Sequence, residues 1–241
     1  MRVAPGGGFD RSRNSGFLLP FSQGTSLLFS IEILAMRLYR KYILPKAVHF
    51  ICSAGLILKQ REKIAPLAAG RVLEIGIGSG LNLPLYDPAK VKHVWGLDPS
   101  LELWAMAAKT AARAEFSVEF IKAGAEAIPL DDSCADTVLV TYTLCTLSSL
   151  ALALGEMRRV LKPDGRLIFC EHGAAPDEAV RRWQDWLNPI WKRIAGGCNL
   201  NLPIPSLLQQ AGFKIWSMNA MYLPGWKPVT FNYWGTAASA K

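Results

Sequence analysis

Closely spaced cysteines and histidines are missing from this sequence of 241 residues. Its five cysteines are scattered without a C-x-x-C pair, and none of its three histidines has a metal-ligand spacing to another. Disulfide frameworks and zinc sites are recognised in a sequence by such spacings. The sequence therefore predicts a reducing, cytoplasmic location, no disulfide framework and no metal site.

Acidic residues are few in the first 70 positions, where ten Lys and Arg stand against three Asp and Glu. This stretch carries +7 of the net charge of +8, which leaves the remaining residues almost neutral. A nucleic-acid binder needs its basic residues on the face that meets the nucleic acid, so nucleic acid is not an expected partner. A basic segment with apolar residues favours a membrane surface or an acidic partner instead.

Long apolar runs are also missing. The stretch 26–35 is short and is interrupted by Glu32, so it does not predict a membrane-spanning helix. Residues 1–35 are rich in Gly, Ser and Arg and are predicted to be a disordered, dispensable extension, with Met36 as an alternative start. Residues 36–66 mix apolar and basic side chains around Pro45. Two interpretations stay open for them: a helical cap on the sheet, or an amphipathic segment in peripheral contact with a membrane. Residues 67–241 are predicted to form one domain.

Apolar runs alternate with helical patterns through this domain. Strands are predicted at 72–75, 93–97, 118–121, 135–141 and 167–171, and helices at 101–112, 147–161 and 180–195. A turn at 162–165 is predicted to end the second helix. The runs 213–218 and 229–234 are predicted to pair as a hairpin. This order predicts an α/β fold: a Rossmann-like, seven-stranded, mostly parallel sheet with helices on both faces and an antiparallel edge hairpin.

The stretch from Val72 to Gly80 is the most informative part of the chain. Strand residues ending in Glu74 and Ile75 lead into a loop with glycine at every second position. Glycine reaches positive φ and lets a ligand lie against the main chain. A dinucleotide fingerprint would place its third small residue at position 81, which here is Leu81. Asp98 follows the next strand, where an acid can accept hydrogen bonds from ribose hydroxyls; capping of the following helix is the alternative role.

This G-x-G-x-G loop after an acidic residue resembles motif I of class I S-adenosylmethionine (SAM) methyltransferases. The segment from Ala123 to Glu126 resembles the part of that family that contacts the adenine, with a solvated turn as the alternative. The resemblance implies SAM as the cofactor and an acidic residue beside its methionine amino group. The implied cofactor-binding residues are Glu74, Gly76, Gly78, Gly80, Asn82, Asp98, Pro99, Ser100, Gly124, Ala125, Glu126 and Thr141.

Segments in the C-terminal third resemble a narrower group. The pair Glu171-His172, the run 186–191 and the run 197–201 are similar to the microsomal thiol S-methyltransferases and their bacterial relatives. His172 at a strand tip is the candidate general base, and Glu171 is the candidate residue that orients it or a substrate cation. Structural roles in neighbouring loops are the alternatives. Methyl transfer from SAM needs no covalent intermediate, so Cys145 and Cys198 are interpreted as small buried side chains.

The resemblance predicts an enzyme that transfers a methyl group from SAM to a small apolar or amphipathic acceptor. Thiol S-methylation is the favoured reaction, and N-methylation of a phospholipid such as phosphatidylethanolamine or methylation of a quinone-like acceptor is the alternative. A membrane-associated protein with this fold and no turnover is the non-enzymatic alternative. The sequence does not fix the oligomeric state.

Overall fold

Seven strands form a single sheet in the part of the chain that the computed structural model describes, residue 34 and residues 38–239. The order across the sheet is β3-β2-β1-β4-β5-β7-β6. The first five strands are parallel, and β7 runs antiparallel to both β5 and β6. The predicted sheet and its antiparallel hairpin are confirmed. The strands are β1 (Gly70–Ile75), β2 (Val91–Leu97), β3 (Ser117–Ile121), β4 (Ala135–Thr141), β5 (Leu161–His172), β6 (Phe213–Tyr222) and β7 (Phe231–Ser239).

Six α-helices accompany the sheet in the described residues. A π-helical turn (Tyr39–Ile43) leads directly into the first, and Pro45 lies in the first turn of that helix, where its missing N–H breaks no hydrogen bond. Short 3₁₀ turns follow β1 (Leu83–Leu85) and β4 (Leu144–Thr146). The helices are α1 (Leu44–Cys52), α2 (Gly55–Glu62), α3 (Leu101–Ala111), α4 (Leu150–Val160), α5 (Glu178–Ile194) and α6 (Ile204–Gln210).

The central strands are apolar at successive positions, so both faces of the sheet carry apolar side chains and both are buried. Alternate side chains of a strand point to opposite faces. In β5, Phe169 packs in the cluster that includes Leu154 and Met157 of α4, whereas the next residue along, Cys170, packs in the second cluster. Trp104 of α3 packs against this second cluster, so helices cover both faces and leave the carboxyl ends of the strands open for a site.

Two details of the secondary-structure prediction are wrong. The predicted turn at 162–165 lies inside β5, where Ala135 pairs with Leu161 and the next paired residue, Thr137, pairs with Arg166. The four residues between form a bulge, because the strand pairing resumes beyond them. The second error is helix α6, a short helix that the sequence did not predict.

The predicted extension over residues 1–35 lies outside the described residues, apart from Leu34. In the described part, no helix combines the length and the apolar composition required to cross a membrane.

Candidate active site

A cavity of about 580 Å³ lies at the carboxyl ends of β1, β2 and β4. The chain runs from β1 outward through β2 to β3, then returns to β4 on the other side of β1, and such a switch point is where open α/β sheets hold ligands. Nine of the twelve predicted cofactor-binding residues line the cavity: Gly76, Gly78, Asp98, Pro99, Ser100, Gly124, Ala125, Glu126 and Thr141. Glu74, Gly80 and Asn82 lie behind this lining.

The three loop glycines all have positive φ but face different surroundings. A Cβ on Gly76 would lie 2.4 Å from Thr143 Oγ1, and one on Gly80 would lie 2.9 Å from the Cβ of Ala107. These two glycines therefore permit close packing. Around Gly78 the nearest atoms to such a Cβ are 3.8 and 3.9 Å away, so this glycine leaves open space in the cavity wall.

Asp98 is held in place by main-chain donors. Its carboxylate accepts hydrogen bonds from the Gly78 amide at 3.0 Å and the Ser100 amide at 2.8 Å. Ser100, rather than Asp98, caps α3, because its hydroxyl accepts a hydrogen bond from the Leu103 amide. Burial raises the pKa of Asp98 although these two bonds oppose the shift. The carboxylate lies at the cavity wall beside the glycine loop.

Glu74 lies one layer behind the wall. Its two carboxylate oxygens accept hydrogen bonds from Asn82 Nδ2 at 2.8 Å and from the Tyr86 hydroxyl at 2.6 Å. Burial raises the pKa of Glu74 to about 7. Asn82 also donates to Thr141 Oγ1 at 3.0 Å, so Glu74 reaches the cavity through this network.

Arg61 is a functional candidate that the sequence analysis missed. It is 6% exposed, lines the cavity, and donates from Nη1 to Asn82 Oδ1 and Thr141 Oγ1. Among the described residues no carboxylate lies within 4 Å of it, and its buried Nε has no hydrogen-bond partner. A buried cation without a paired anion is costly, so this one is suited to an anionic ligand group. A lone Arg in a basic helix gave no signal in the sequence.

Glu126 connects the cavity to the start of α4. Its Oε1 accepts hydrogen bonds from the Ser148 amide, the Ser148 hydroxyl and the Ser149 amide, at 2.7–3.2 Å. Desolvation opposes ionisation of Glu126, but these bonds lower its pKa overall. The predicted segment Gly124 to Glu126 therefore lies at the wall with its carboxylate already engaged.

Helix α1 supplies a part of the wall that the sequence did not assign to the site: Leu44, Val48, His49 and Cys52. His49 Nδ1 lies 2.7 Å from Ser79 Oγ in the glycine loop. Tyr142 also lines the cavity, at a positive φ of 52°. Its hydroxyl donates to Asn232 Oδ1 at 2.7 Å, which holds this uncommon conformation in place.

The two predicted catalytic residues lie outside the lining. One oxygen of the buried Glu171 accepts hydrogen bonds from the amides of Thr143 and Leu144, and burial raises its pKa to about 7. His172 Nε2 lies 3.0 Å from Cys198 Sγ. Desolvation opposes protonation of His172, but this contact and the charges of Cys198 and Glu171 raise its pKa overall. The catalytic roles of Glu171 and His172 stay predictions.

Comparison with known proteins agrees with this geometry. A family model described as a methyltransferase domain matches residues 73–169. The human thiol S-methyltransferase TMT1B is 33% identical over 191 residues, which cover 74% of this chain and 78% of the relative. The demethylmenaquinone methyltransferase of Clavibacter sepedonicus is 33% identical over 122 residues, 51% of this chain and 49% of that protein.

Among solved structures, a putative methyltransferase from Bacillus halodurans superposes with a TM-score of 0.64 at 17% identity, covering 78% of this chain and all of that one. That likeness supports the fold. The matched methyltransferase domain spans β1 to β5, and hence the glycine loop, Asp98 and the Gly124 segment. The chain therefore belongs to the class I SAM-dependent methyltransferases, in the same family as the human thiol S-methyltransferase TMT1B.

Proposed function

We propose that this methyltransferase transfers the methyl group of SAM to the sulfur of a small apolar thiol. The observation that carries the proposal is the apolar part of the cavity wall beyond the glycine loop. It is formed by Leu44, Val48, Leu147 and Ala195. The identity to TMT1B, whose name states thiol S-methylation, supports the choice of acceptor atom.

The charges around the cavity favour a neutral acceptor. Among the described lining residues only Asp98 and Glu126 carry carboxylates. The first lies beside the glycine loop, where the ribose is expected, and the second is engaged by Ser148 and Ser149. A cationic amine acceptor would need an acid in reach, whereas an uncharged thiol needs shape and an apolar surface.

The chemistry of thiol methylation suits such a wall. The acceptor sulfur forms a bond to the methyl carbon, the C–S⁺ bond of SAM breaks, and its electron pair stays on the departing thioether sulfur. A thiolate and a sulfonium thereby become two neutral thioethers. Because opposite charges are neutralised as the transition state forms, exclusion of water from the reacting atoms favours the reaction. Positioning supplies most of the remaining rate.

The thiol proton must leave, and His49 is placed to receive it. His49 lines the cavity from α1, and its contact with Ser79 holds the ring against the glycine loop. Imidazole is the side chain most often used as a general base near neutral pH. His49→Gln should lower kcat on a thiol mainly below pH 8. Above the pKa of the acceptor thiol the variant should be as active as the wild type, because the acceptor is already a thiolate and needs no base. An unchanged pH profile would exclude this role, and His172→Ala in parallel tests the base predicted from the sequence.

Arg61 is positioned to bind the methionine carboxylate of SAM. Its guanidinium lies at the cavity wall, between Asn82 and Thr141, without a protein anion. A guanidinium matches the planar geometry of a carboxylate and makes charge-assisted hydrogen bonds to it. In this arrangement α1 and α2 act as a helical cap, one of the two interpretations left open for residues 36–66, with Arg61 and His49 facing the cavity.

A matched set of acceptors tests the proposal. Thiophenol, phenol and aniline share one shape and differ in the nucleophilic atom, so each is incubated with the full chain and methyl-labelled SAM. Labelled methyl phenyl sulfide without labelled anisole or N-methylaniline is the expected result. Label in either of the other two products, with none in the sulfide, would overturn it. Gly78→Arg serves as the inactive control.

Methylation of a quinone-like acceptor is the second candidate function, because the demethylmenaquinone methyltransferase relative matches about half of the chain. A reduced naphthoquinone in the same assay separates the two. Product from the quinol and none from the thiol would favour the second candidate. Phosphatidylethanolamine vesicles, added as a further acceptor, test the predicted lipid alternative.

Peripheral membrane contact is a separate part of the proposal. Helix α1 exposes Phe50 and Ile51, which are 78% and 61% accessible, and α5 exposes Trp183, Trp186 and Ile190. Large apolar side chains beside basic residues suit the boundary of a lipid headgroup layer. Co-sedimentation of the full chain with anionic vesicles is the expected result, and Phe50→Ser should reduce it. Equal recovery with and without vesicles would overturn this part.

A further inference from the structure

Two thiols and an imidazole meet beside the cavity but outside its lining. Cys145 lies in the 3₁₀ turn after β4, His172 ends β5, and Cys198 lies in the loop after α5. Their sulfur and ring nitrogen atoms all lie within 4.8 Å of one another. Cys145 is buried, and the other two are partly buried. No spacing in the sequence predicts this cluster, because its members are far apart along the chain.

The donor set is typical of a zinc site. Zinc binds thiolate sulfur at about 2.3 Å and imidazole nitrogen at about 2.0–2.1 Å in tetrahedral geometry. These lengths place two sulfurs about 3.8 Å apart, and a sulfur and a nitrogen about 3.6 Å apart. His172 Nε2 and Cys198 Sγ are 3.0 Å apart, so binding requires these two groups to separate by roughly half an ångström.

Hydrogen bonds hold the main chain around the cluster in place. The amide and the side-chain Nδ2 of Asn199 both donate to the Cys145 carbonyl at 2.9 Å. The Leu200 amide donates to Asn188 Oδ1 at 2.8 Å. The loop that carries Cys198 is thereby fixed to the turn that carries Cys145. Preorganised ligands of this kind lower the cost of ordering a site around a metal ion.

A second interaction orients one of the sulfurs. Trp191 Nε1 donates to Cys198 Sγ at 3.4 Å. Hydrogen bonds to the first ligand atoms orient them toward the metal and adjust its affinity. The indole donor can keep its contact while Cys198 binds an ion, because a thiolate sulfur has more than one lone pair.

We propose that Cys145, His172 and Cys198 bind one zinc ion, with a water molecule as the fourth ligand. Two Zn–S bonds and one Zn–N bond form, and the thiol protons pass to solvent. The ion would tie the loop after α5 to the ends of β4 and β5. Thr146, Ala195 and Gly196 of the same segments line the cavity, so the ion would also fix this side of the wall. The proposal is independent of the methyl acceptor.

Cobalt titration of the full chain tests the site directly. The protein is purified under reducing conditions, treated with a chelator, desalted without oxygen and titrated with Co²⁺. One equivalent should produce a sulfur-to-cobalt charge-transfer band and the intense visible bands of a tetrahedral ion, and Zn²⁺ should displace it. Cys145→Ser, Cys198→Ser and His172→Ala should each weaken binding by more than ~100-fold, because loss of a partner that only orients a ligand already costs ~10–100-fold. Cys134→Ser is the matched control and should bind as the wild type does.

A variant that fails to fold would lose these bands for another reason, so X-ray absorption of the zinc-loaded wild type provides a second test. Two sulfur ligands near 2.3 Å with nitrogen or oxygen ligands near 2.0–2.1 Å are expected. Absence of stoichiometric binding, or binding that survives in all three variants, would overturn the site. So would a Cys145–Cys198 disulfide in protein kept under reducing conditions.

Discussion

The two halves of the cavity differ in how the chain builds them. The first half consists of the glycine loop, Asp98 and the Gly124 segment, each lying directly after a parallel strand. The second half consists of α1, Arg61, Tyr142 and the segment around Gly196, which come from distant parts of the chain. The first half presents mainly main-chain groups and the carboxylates of Asp98 and Glu126, whereas the second half presents mainly other side chains. We therefore expect the first half to contact the ribose and adenine parts of the cofactor, and the second half to bind the acceptor and, through Arg61, the methionine carboxylate of SAM.

The largest effect on SAM binding is expected from a substitution of Gly78 in the first half. Its substitution by Arg adds a side chain at the cavity wall and forces φ = 53° on a non-glycine residue. SAM binding should weaken by more than ~100-fold, or ~3 kcal/mol. Calorimetric titration measures the change. Gly155→Arg, on exposed helix surface with no atom within 4 Å of its Cβ, is the matched control. Equal affinity in the two variants would exclude the loop as the binding site.

The first half could be predicted from the sequence because its signals are local. Glycine spacing after Glu74 and the acid at the next strand tip identified residues that do line the cavity, such as Gly78 and Asp98. Glu74 itself lies behind the wall. The position of this carboxylate one layer back depends on hydrogen bonds from Tyr86 and Asn82, which the glycine spacing does not reveal.

Glu74 is connected through Asn82 to Thr141 and Arg61, and so lies between the two halves. It should make the free energy of unfolding depend on pH. Burial raises its pKa from 4.5 to about 7, so the native state holds a proton that the unfolded chain releases between these values. The free energy of unfolding should therefore fall as pH rises from about 4.5 to about 7, by up to about 3 kcal/mol for this group. Glu171 contributes with the same sign. Denaturant unfolding across this range measures the slope.

Glu74→Gln should reduce that slope without removing it, because Glu171 remains. The amide keeps one oxygen for the Tyr86 or Asn82 donor and carries no charge at any pH in the range. Glu115→Gln, which changes an exposed carboxylate, should leave the slope unchanged. A Glu74→Gln protein with the wild-type slope would contradict the raised pKa.

Asp98→Ala removes the expected partner of the ribose hydroxyls. The loss should weaken S-adenosylhomocysteine binding by ~10–100-fold, since a hydrogen bond to a charged group contributes ~1.5–3 kcal/mol. An analogue that lacks one ribose hydroxyl should bind to the wild type more weakly than S-adenosylhomocysteine does. To Asp98→Ala the two compounds should bind equally well. Asp164→Ala, an exposed residue outside the cavity lining, is the control. If the analogue lost as much affinity relative to S-adenosylhomocysteine in Asp98→Ala as in the wild type, the ribose contact would be excluded.

The second half could not be predicted from the sequence because its residues meet only through the fold. His49 and Ser79, 30 residues apart, come within 2.7 Å, and Arg61 reaches Thr141 across 80 residues. In the sequence both His49 and Arg61 belong to a basic, partly apolar stretch for which a cap and a membrane-surface segment both stayed open. The bulge in β5 escaped prediction for a related reason, since the run Lys162 to Gly165 is a turn signal that strand pairing overrides.

The smallest expected effect is that of Arg61→Gln, which tests the second half of the cavity. Arg61→Gln should weaken SAM binding about tenfold, or ~1.4 kcal/mol, because the amide keeps a donor for Asn82 or Thr141 but loses the charge that faces the carboxylate. Binding of 5′-methylthioadenosine, which lacks the amino-acid part of SAM, should not change. Lys59→Gln, an exposed cation two residues earlier in α2, controls for overall charge. If Arg61→Gln weakened both ligands equally, Arg61 would act through the packing of α2 on the cavity, and the carboxylate contact would be wrong.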